Sequence, residues 1–129
     1  MAHIMVVDDE RDVVVLIKFL LERDGHEISV AYNGSEALAQ LRLRLPQGGT
    51  DIPDLIILDV MMPVMDGFTF CARAAEDEAL AKIPLIILTA KGEMRDFFQL
   101  SPNVANYLEK PFDPNRLREV VSSLLAKPK

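Results

Sequence analysis

The sequence predicts an α/β domain built on a doubly wound, five-stranded parallel sheet with helices on both faces. Short aliphatic runs alternate with segments whose apolar residues recur at helical spacing, which is typical of parallel strands joined by right-handed crossovers. The central run, Leu55–Leu58, contains no polar residue, as expected for a strand covered on both faces. It leads directly into Asp59, and other aliphatic runs also end in polar residues.

Length and composition indicate one domain. We expect the 129 residues to form a single unit with its core at about 3–126. No apolar run approaches the roughly 18 to 20 residues that cross a bilayer, so we expect a soluble, cytoplasmic protein with no membrane partner. The formal net charge of -6 argues against direct nucleic acid binding, because phosphate neutralisation requires a basic face. The single cysteine, Cys71, is expected to be a small core residue.

The first part of the chain predicts two strands, each followed by a helix. His3–Val7 forms the first strand and Glu27–Ala31 a second, less apolar strand. The helix between them ends at Gly25, and its apolar face consists of Val13, Val14, Ile17, Leu20 and Leu21. A second helix follows Asn33, which forms a capping box with Glu36 three residues later.

The middle of the chain predicts a loop, the central strand, a third helix and a fourth strand. Prolines and glycines are dense between residues 45 and 53, which indicates an exposed loop. After the central strand and a turn at Asp66-Gly67, the apolar residues at helical spacing are Phe68, Cys71, Ala72 and Ala75. Ile83–Leu88 is the predicted fourth strand, with Pro84 near its start, where a missing amide costs little.

The last part of the chain predicts a helix, a strand and a final helix. Glu93–Leu100 is expected to form a short fourth helix that ends before Pro102, and Val104–Leu108 a fifth strand. Asp113 is the predicted N-cap of the final helix, with Pro114 at the first helical position. The apolar face of that helix consists of Leu117, Val120, Val121, Leu124 and Leu125.

Polar residues follow four of the five predicted strands and should meet at one edge of the sheet. Asp8 and Asp9 follow the first strand and Asp59 the third, while Thr89 follows the fourth and Lys110 the fifth. Ligands of parallel sheets bind outside the carboxyl ends of the strands. Neighbouring carboxylates repel one another and recruit a divalent cation, and Mg²⁺ favours a few carboxylates together with phosphate oxygen. We therefore expect the acids to hold Mg²⁺, and Lys110 and Thr89 to bind a phosphoryl group.

Asp59 is the predicted nucleophile, because it stands alone at the tip of the central strand. A carboxylate screened by metal can attack phosphorus and form an acyl phosphate. Each residue also has a structural interpretation: Asp59 could cap a turn, and Asp8 and Asp9 could start a helix. Thr89 could be an ordinary strand-end hydroxyl and Lys110 a solvated charge. Their joint placement at successive strand ends favours phosphoryl chemistry.

These motifs resemble those of response-regulator receiver domains of two-component signalling. The resemblance runs from Ile4 to about Leu125 and rests on Asp8-Asp9, Asp59 with Met62-Pro63 and Met65-Asp66-Gly67, Thr89-Ala90, and Lys110-Pro111-Phe112. It implies a flavodoxin-like fold with strand order 2-1-3-4-5. It also implies a signalling domain, and not an enzyme with an external substrate, that takes a phosphoryl group onto Asp59 from a histidine kinase or phosphotransfer protein.

The resemblance assigns a role to each residue of the site. It implies that Asp9, Asp59 and the Met61 carbonyl bind Mg²⁺, with Asp8 acting mainly through water. Ala90 takes a cofactor-binding position beside Thr89. The peptide bond between Lys110 and Pro111 is expected to be cis.

The resemblance further implies a switch formed by Thr89 and Tyr107. After phosphorylation of Asp59, Thr89 would move toward the phosphoryl group and Tyr107 would turn inward. The predicted fourth helix, the fifth strand and the final helix would change as a surface and signal to a downstream effector protein or domain, or form a phosphorylation-dependent homodimer. Tyr107 could also be a plain core aromatic residue.

Two other classes of function are open on the sequence. A pseudo-receiver would bind partners without phosphorylation, although the complete set of acids, Thr89 and Lys110 disfavours it. A small metal-dependent phosphohydrolase would need a second catalytic carboxylate just after Asp59, and the sequence has none there. The chain could be a stand-alone receiver or a fragment of a larger regulator or hybrid kinase.

Overall fold

The computed structural model describes residues 2–44, 52–59, 67–90 and 104–126. Within these ranges, five parallel strands form one sheet in the order β2-β1-β3-β4-β5. The strands are β1 (His3–Val7), β2 (Glu27–Ala31), β3 (Leu55–Asp59), β4 (Leu85–Ala90) and β5 (Val104–Lys110). The predicted fold class and strand order are therefore confirmed.

Five helices pack around the sheet in the described part of the chain. They are α1 (Arg11–Arg23), α2 (Gly34–Arg44), α3 (Gly67–Ala74), α4 (Glu78–Ala81) and α5 (Pro114–Ala126). The short helix α4 was not predicted. The predicted helix at Glu93–Leu100 and most of the predicted loop at residues 45–53 lie outside the described residues. No helix that the structure describes is long and apolar enough to span a bilayer.

Side-chain caps begin three of these helices. Asn33 Oδ1 accepts a hydrogen bond from the Glu36 backbone N–H at 2.8 Å, which confirms the predicted cap of α2. Asp113 Oδ1 accepts the Asn115 N–H at 2.9 Å, as predicted for α5. Asp77 starts α4 in the same way, by accepting the Ala79 N–H at 3.1 Å.

The core consists of two apolar layers, one on each face of the sheet. On one face, α1 and α5 cover a cluster that includes Val6, Ile57 and Leu88. The predicted apolar faces of both helices are confirmed, since their residues are either buried or packed against this cluster. On the other face, α2, α3 and α4 cover a second cluster. All five residues of β3 are buried because the strand lies between both layers.

The inward face of α3 differs from the prediction. Of the predicted residues, Cys71 is buried, Ala72 and Ala75 are exposed, and the side chain of Phe68 lies outside the described part of the structure. Phe70 and Ala74 are also buried, in place of the two exposed alanines. Spacing could not separate these alternatives, because alanine is tolerated on either side of a helix. The prediction that Cys71 is a core residue is confirmed, and burial raises the pKa of its thiol to about 11.

The last two strands are longer than predicted at their carboxyl ends. β4 starts after Pro84 and continues through Ala90, while β5 continues through Lys110. Their ladder pairs Ala90 with Lys110 at its final position. Thr89 and Lys110 are therefore held within the sheet, and do not follow it in a loop.

Candidate functional site

Strand register brings two buried acids to the same level at the carboxyl edge of the sheet. Val7 of β1 pairs with Leu58 of β3, so the next residues, Asp8 and Asp59, emerge side by side. The backbone N–H of Asp8 donates to the Ala31 carbonyl of β2 at 3.1 Å, which anchors the residue to the sheet. Asp8 is 0% exposed and Asp59 only 3% exposed.

Lys110 extends from the end of β5 into this group of acids. Its Nζ lies 2.8 Å from Asp8 Oδ2, 3.3 Å from Asp59 Oδ2 and 2.7 Å from Glu10 Oε1. Of these contacts, those with Glu10 and Asp59 are hydrogen bonds that the ammonium group donates. The peptide bond from Lys110 to Pro111 is cis, as the resemblance implies.

The carboxylate of Asp8 performs two tasks. Its Oδ1 accepts the backbone N–H of Glu10 at 2.8 Å, where the chain turns from β1 into α1. Its Oδ2 is buried and, within the described residues, has no aligned hydrogen-bond donor. The 2.8 Å approach of Lys110 to this oxygen is therefore an ion pair whose geometry is not that of a directed hydrogen bond.

The charges of the group are unequal, with one ammonium among three carboxylates. Burial acts to lower the pKa of Lys110, but the carboxylates of Asp8, Glu10 and Asp59 outweigh burial and raise that pKa above its usual value. Lys110 is therefore protonated at neutral pH. The group as a whole retains an excess of negative charge at a partly buried position, and such a position attracts a cation.

The acids fit the requirements of a hard divalent cation. One carboxylate oxygen from each of Asp8, Glu10 and Asp59 lies within 4.8 Å of the others. Carboxylate oxygens are the protein ligands that Mg²⁺ prefers, and Asp8 Oδ2 is buried without an aligned donor. This part of the chain can therefore hold a metal ion.

The structure does not bring every predicted site residue into this group. The side chain of Asp9 is exposed and is not part of the set of three acids. Met61 lies outside the described residues. The backbone of Ala90 pairs with that of Lys110 at the end of β4.

Thr89 and Tyr107 lie on the same face of the sheet. Ile87 of β4 pairs with Tyr107 of β5, and both contact the cluster covered by α2, α3 and α4. Thr89 follows Ile87 by two residues, so strand alternation directs its side chain to that face as well. Asp59 follows Ile57 by two residues, and Ile57 belongs to the cluster covered by α1 and α5. By the same alternation, the side chain of Asp59 is directed to that opposite face. Thr89 is wholly buried, whereas Tyr107 is half-buried.

Glu10 is the member of the group that the sequence did not predict. It is the N-cap residue of α1, and its side chain, 59% exposed, reaches back over the sheet edge to Lys110. The run Asp8-Asp9-Glu10 indicated acids at this place, but residue types alone do not show which of the side chains reach Lys110.

Comparison with known proteins agrees with the fold. Residues 4–122 match the family described as the response regulator receiver domain. The chain is 37% identical over 123 residues to the alkaline phosphatase synthesis transcriptional regulatory protein PhoP of Bacillus subtilis, covering 95% of this chain and 48% of PhoP. It is 39% identical over 124 residues to the response regulator PleD of Caulobacter vibrioides, covering 95% of this chain and 26% of PleD. The chain thus spans about half or less of the length of these relatives.

Solved structures show the same similarity. The signal receiver domain of a signal transduction histidine kinase from Syntrophus aciditrophicus superimposes with a TM-score of 0.82 at 30% identity, over 98% of this chain and 91% of that one. The Vibrio cholerae chemotaxis protein CheY4 gives a TM-score of 0.81 at 28% identity, over 96% of this chain and 98% of that one. The resemblance found in the sequence is confirmed, and the chain belongs to the response regulator receiver domain family of two-component signalling.

Proposed function

We propose that this receiver domain accepts a phosphoryl group on Asp59 from a histidine kinase or phosphotransfer protein. The convergence of Lys110 with the buried carboxylates of Asp8 and Asp59 carries the proposal. A partly buried cation beside a buried carboxylate can bind phosphoryl oxygens, because hydrogen bonds in which one group is charged are stronger than neutral ones.

In the proposed reaction, an oxygen of Asp59 attacks phosphorus and forms an acyl phosphate. The bond from phosphorus to the donor imidazole nitrogen breaks, and its electron pair stays on that nitrogen, which takes up a proton from solvent. Lys110 neutralises charge on the transferred group, and the Thr89 hydroxyl donates to another phosphoryl oxygen. Positioning and charge neutralisation supply most of the catalysis, as is usual for phosphoryl transfer.

The proposed Mg²⁺ ligands are Asp9, Asp59 and the Met61 carbonyl, with Asp8 acting mainly through water. When bound, Mg²⁺ would neutralise charge that develops on the phosphoryl oxygens. The buried carboxylates of Asp8 and Asp59 support their part in this assignment, whereas the side chain of Asp9 would have to turn toward the group of acids. Ala90 is proposed to contact the phosphoryl group beside Thr89.

We propose that the output of the domain is a change of surface and not a chemical product. Thr89 would move toward the acyl phosphate, and Tyr107 would turn inward on the face of the sheet that both residues share. β5, α5 and the segment 93–100 would then present an altered surface to a downstream effector, or to a second receiver in a homodimer. Phosphorylation would act by biasing a two-state equilibrium. The proposal places these events in the cytoplasm.

Incubation with acetyl phosphate and Mg²⁺, followed by intact-mass measurement, tests the proposal. We expect a phosphoryl adduct on the wild type that is absent in Asp59→Asn and in samples with excess chelator. If no adduct forms on the wild type, the pseudo-receiver is supported. Release of many equivalents of phosphate per chain supports the phosphohydrolase instead.

A further inference from the structure

We propose that Glu10 is a positioning residue that occupies, in the unphosphorylated protein, the place at Lys110 that a phosphoryl oxygen takes during transfer. The inference rests on the proposed function and adds a residue to it. Glu10 makes the shortest of the three contacts of Lys110 Nζ, at 2.7 Å, and Asp59 makes the longest, at 3.3 Å. The ammonium group is therefore held closer to Glu10 than to the acceptor carboxylate.

Carboxylates already surround the Lys110 ammonium group. One oxygen of each of Asp8, Asp59 and Glu10 lies within 3.3 Å of its nitrogen, through hydrogen bonds with Glu10 and Asp59 and an ion pair with Asp8. A phosphoryl oxygen that arrives at Asp59 needs a place beside the same nitrogen. Because Asp59 is the acceptor itself, either Asp8 or Glu10 must give up its contact.

Exposure indicates which contact is exchanged. Asp8 is wholly buried, and the loss of its partner would leave a buried charge without compensation, which is strongly unfavourable. The side chain of Glu10 is 59% exposed, so water can solvate its carboxylate once Lys110 moves away. Glu10 is therefore the partner that a phosphoryl oxygen replaces most readily.

The position of Glu10 in the chain suits such an exchange. Its backbone is held by Asp8, whose Oδ1 accepts the Glu10 N–H, and by the Val14 N–H, which donates to the Glu10 carbonyl. The side chain can swing out into solvent without disturbing either bond. In the resting state Glu10 thus keeps Lys110 oriented over the site, and it withdraws when the phosphoryl group binds.

Glu10→Gln tests the inference, with Asp12→Asn as the matched control. Asp12 is an exposed acid in the first turn of α1, so its replacement removes the same charge from the same helix end. At saturating Mg²⁺ with acetyl phosphate, we expect Glu10→Gln to be phosphorylated about two- to fivefold faster than wild type, the factor that corresponds to an exposed ion pair. Asp12→Asn should match wild type.

The Lys110 ammonium signal in ¹⁵N-edited NMR spectra provides a readout that does not depend on phosphorylation. Without acetyl phosphate, we expect its protons to exchange with water faster in Glu10→Gln than in wild type or Asp12→Asn. An unchanged exchange rate, or a phosphorylation rate in Glu10→Gln no higher than in Asp12→Asn, overturns the inference. Absence of any acyl phosphate on the wild type instead overturns the proposed function, and the two failures are distinguishable.

Discussion

The buried carboxylate of Asp8 should destabilise the metal-free protein, and we predict that Asp8→Asn stabilises it by about 1 to 3 kcal/mol. Asp8 is wholly buried. Asparagine has nearly the same shape and retains an oxygen that can accept the Glu10 backbone N–H. The substitution therefore removes charge and leaves the turn from β1 into α1 in place.

The magnitude follows from charge effects that largely cancel. At an effective dielectric constant of about 20, the 2.8 Å contact with Lys110 Nζ corresponds to about 6 kcal/mol of attraction. Carboxylate oxygens within 4.8 Å of one another correspond to about 3 kcal/mol of repulsion per pair, and Asp8 has two such neighbours, Glu10 and Asp59. Attraction and repulsion therefore nearly cancel. The cost of removing the Asp8 carboxylate from water is left over; it is several kcal/mol, and the neutral side chain of asparagine avoids it.

Urea unfolding followed by circular dichroism, with a chelator present, measures this effect. A gain of this size should raise the unfolding midpoint by about 1 M. Asp9→Asn is the matched control, because it makes the same change at an exposed neighbour and should shift stability by less than about 0.5 kcal/mol. A lower midpoint for Asp8→Asn than for Asp9→Asn would mean that the attraction of Lys110 exceeds both repulsion and desolvation, contrary to our reasoning.

Two further predictions concern the core. Ile57→Ala, in the strand buried between both layers, should lower the free energy of unfolding by about 3 to 4 kcal/mol in urea titrations; a loss below about 1 kcal/mol would contradict the two-layer packing. The pKa of the Cys71 thiol is raised from 9.0 to about 11 in the folded protein, so its contribution to stability is complete below pH 9 and is lost as the pH rises toward 11. The stability of wild type should therefore fall more steeply over that interval than that of Cys71→Ala, and parallel curves would contradict the assignment.

Several elements follow from the hydrophobic pattern alone. Uninterrupted aliphatic runs defined β1 and β3, and helical spacing defined α1 and α5. In contrast, α4 has four residues, of which only Leu80 is buried, so it shows no periodicity that could predict it. The inward face of α3 was predicted only in part, because Ala72 and Ala74 within the helix and Ala75 just after it offer equivalent choices.

At the site, the sequence identified the strand-end acids and the lysine, but not how their side chains are directed. The side chain of Glu10, the N-cap residue of α1, is directed to Lys110 at 2.7 Å, a direction that residue types do not reveal. The placement of Thr89 and Tyr107 on one face depends on the register of β4 and β5. Register is set by pairing between distant segments, so the sequence alone could not fix it.

Chemical mapping of the phosphorylated residue tests most directly whether Asp59 becomes an acyl phosphate. Borohydride converts an aspartyl phosphate to homoserine, which peptide mass spectrometry can locate. After treatment with acetyl phosphate and Mg²⁺, we expect homoserine at position 59 and unmodified Asp8, Asp9 and Glu10. Homoserine at Asp8 or Asp9, 5-hydroxynorvaline (the corresponding reduction product of a glutamyl phosphate) at Glu10, or a phosphorylated protein with Asp59 intact would contradict this assignment.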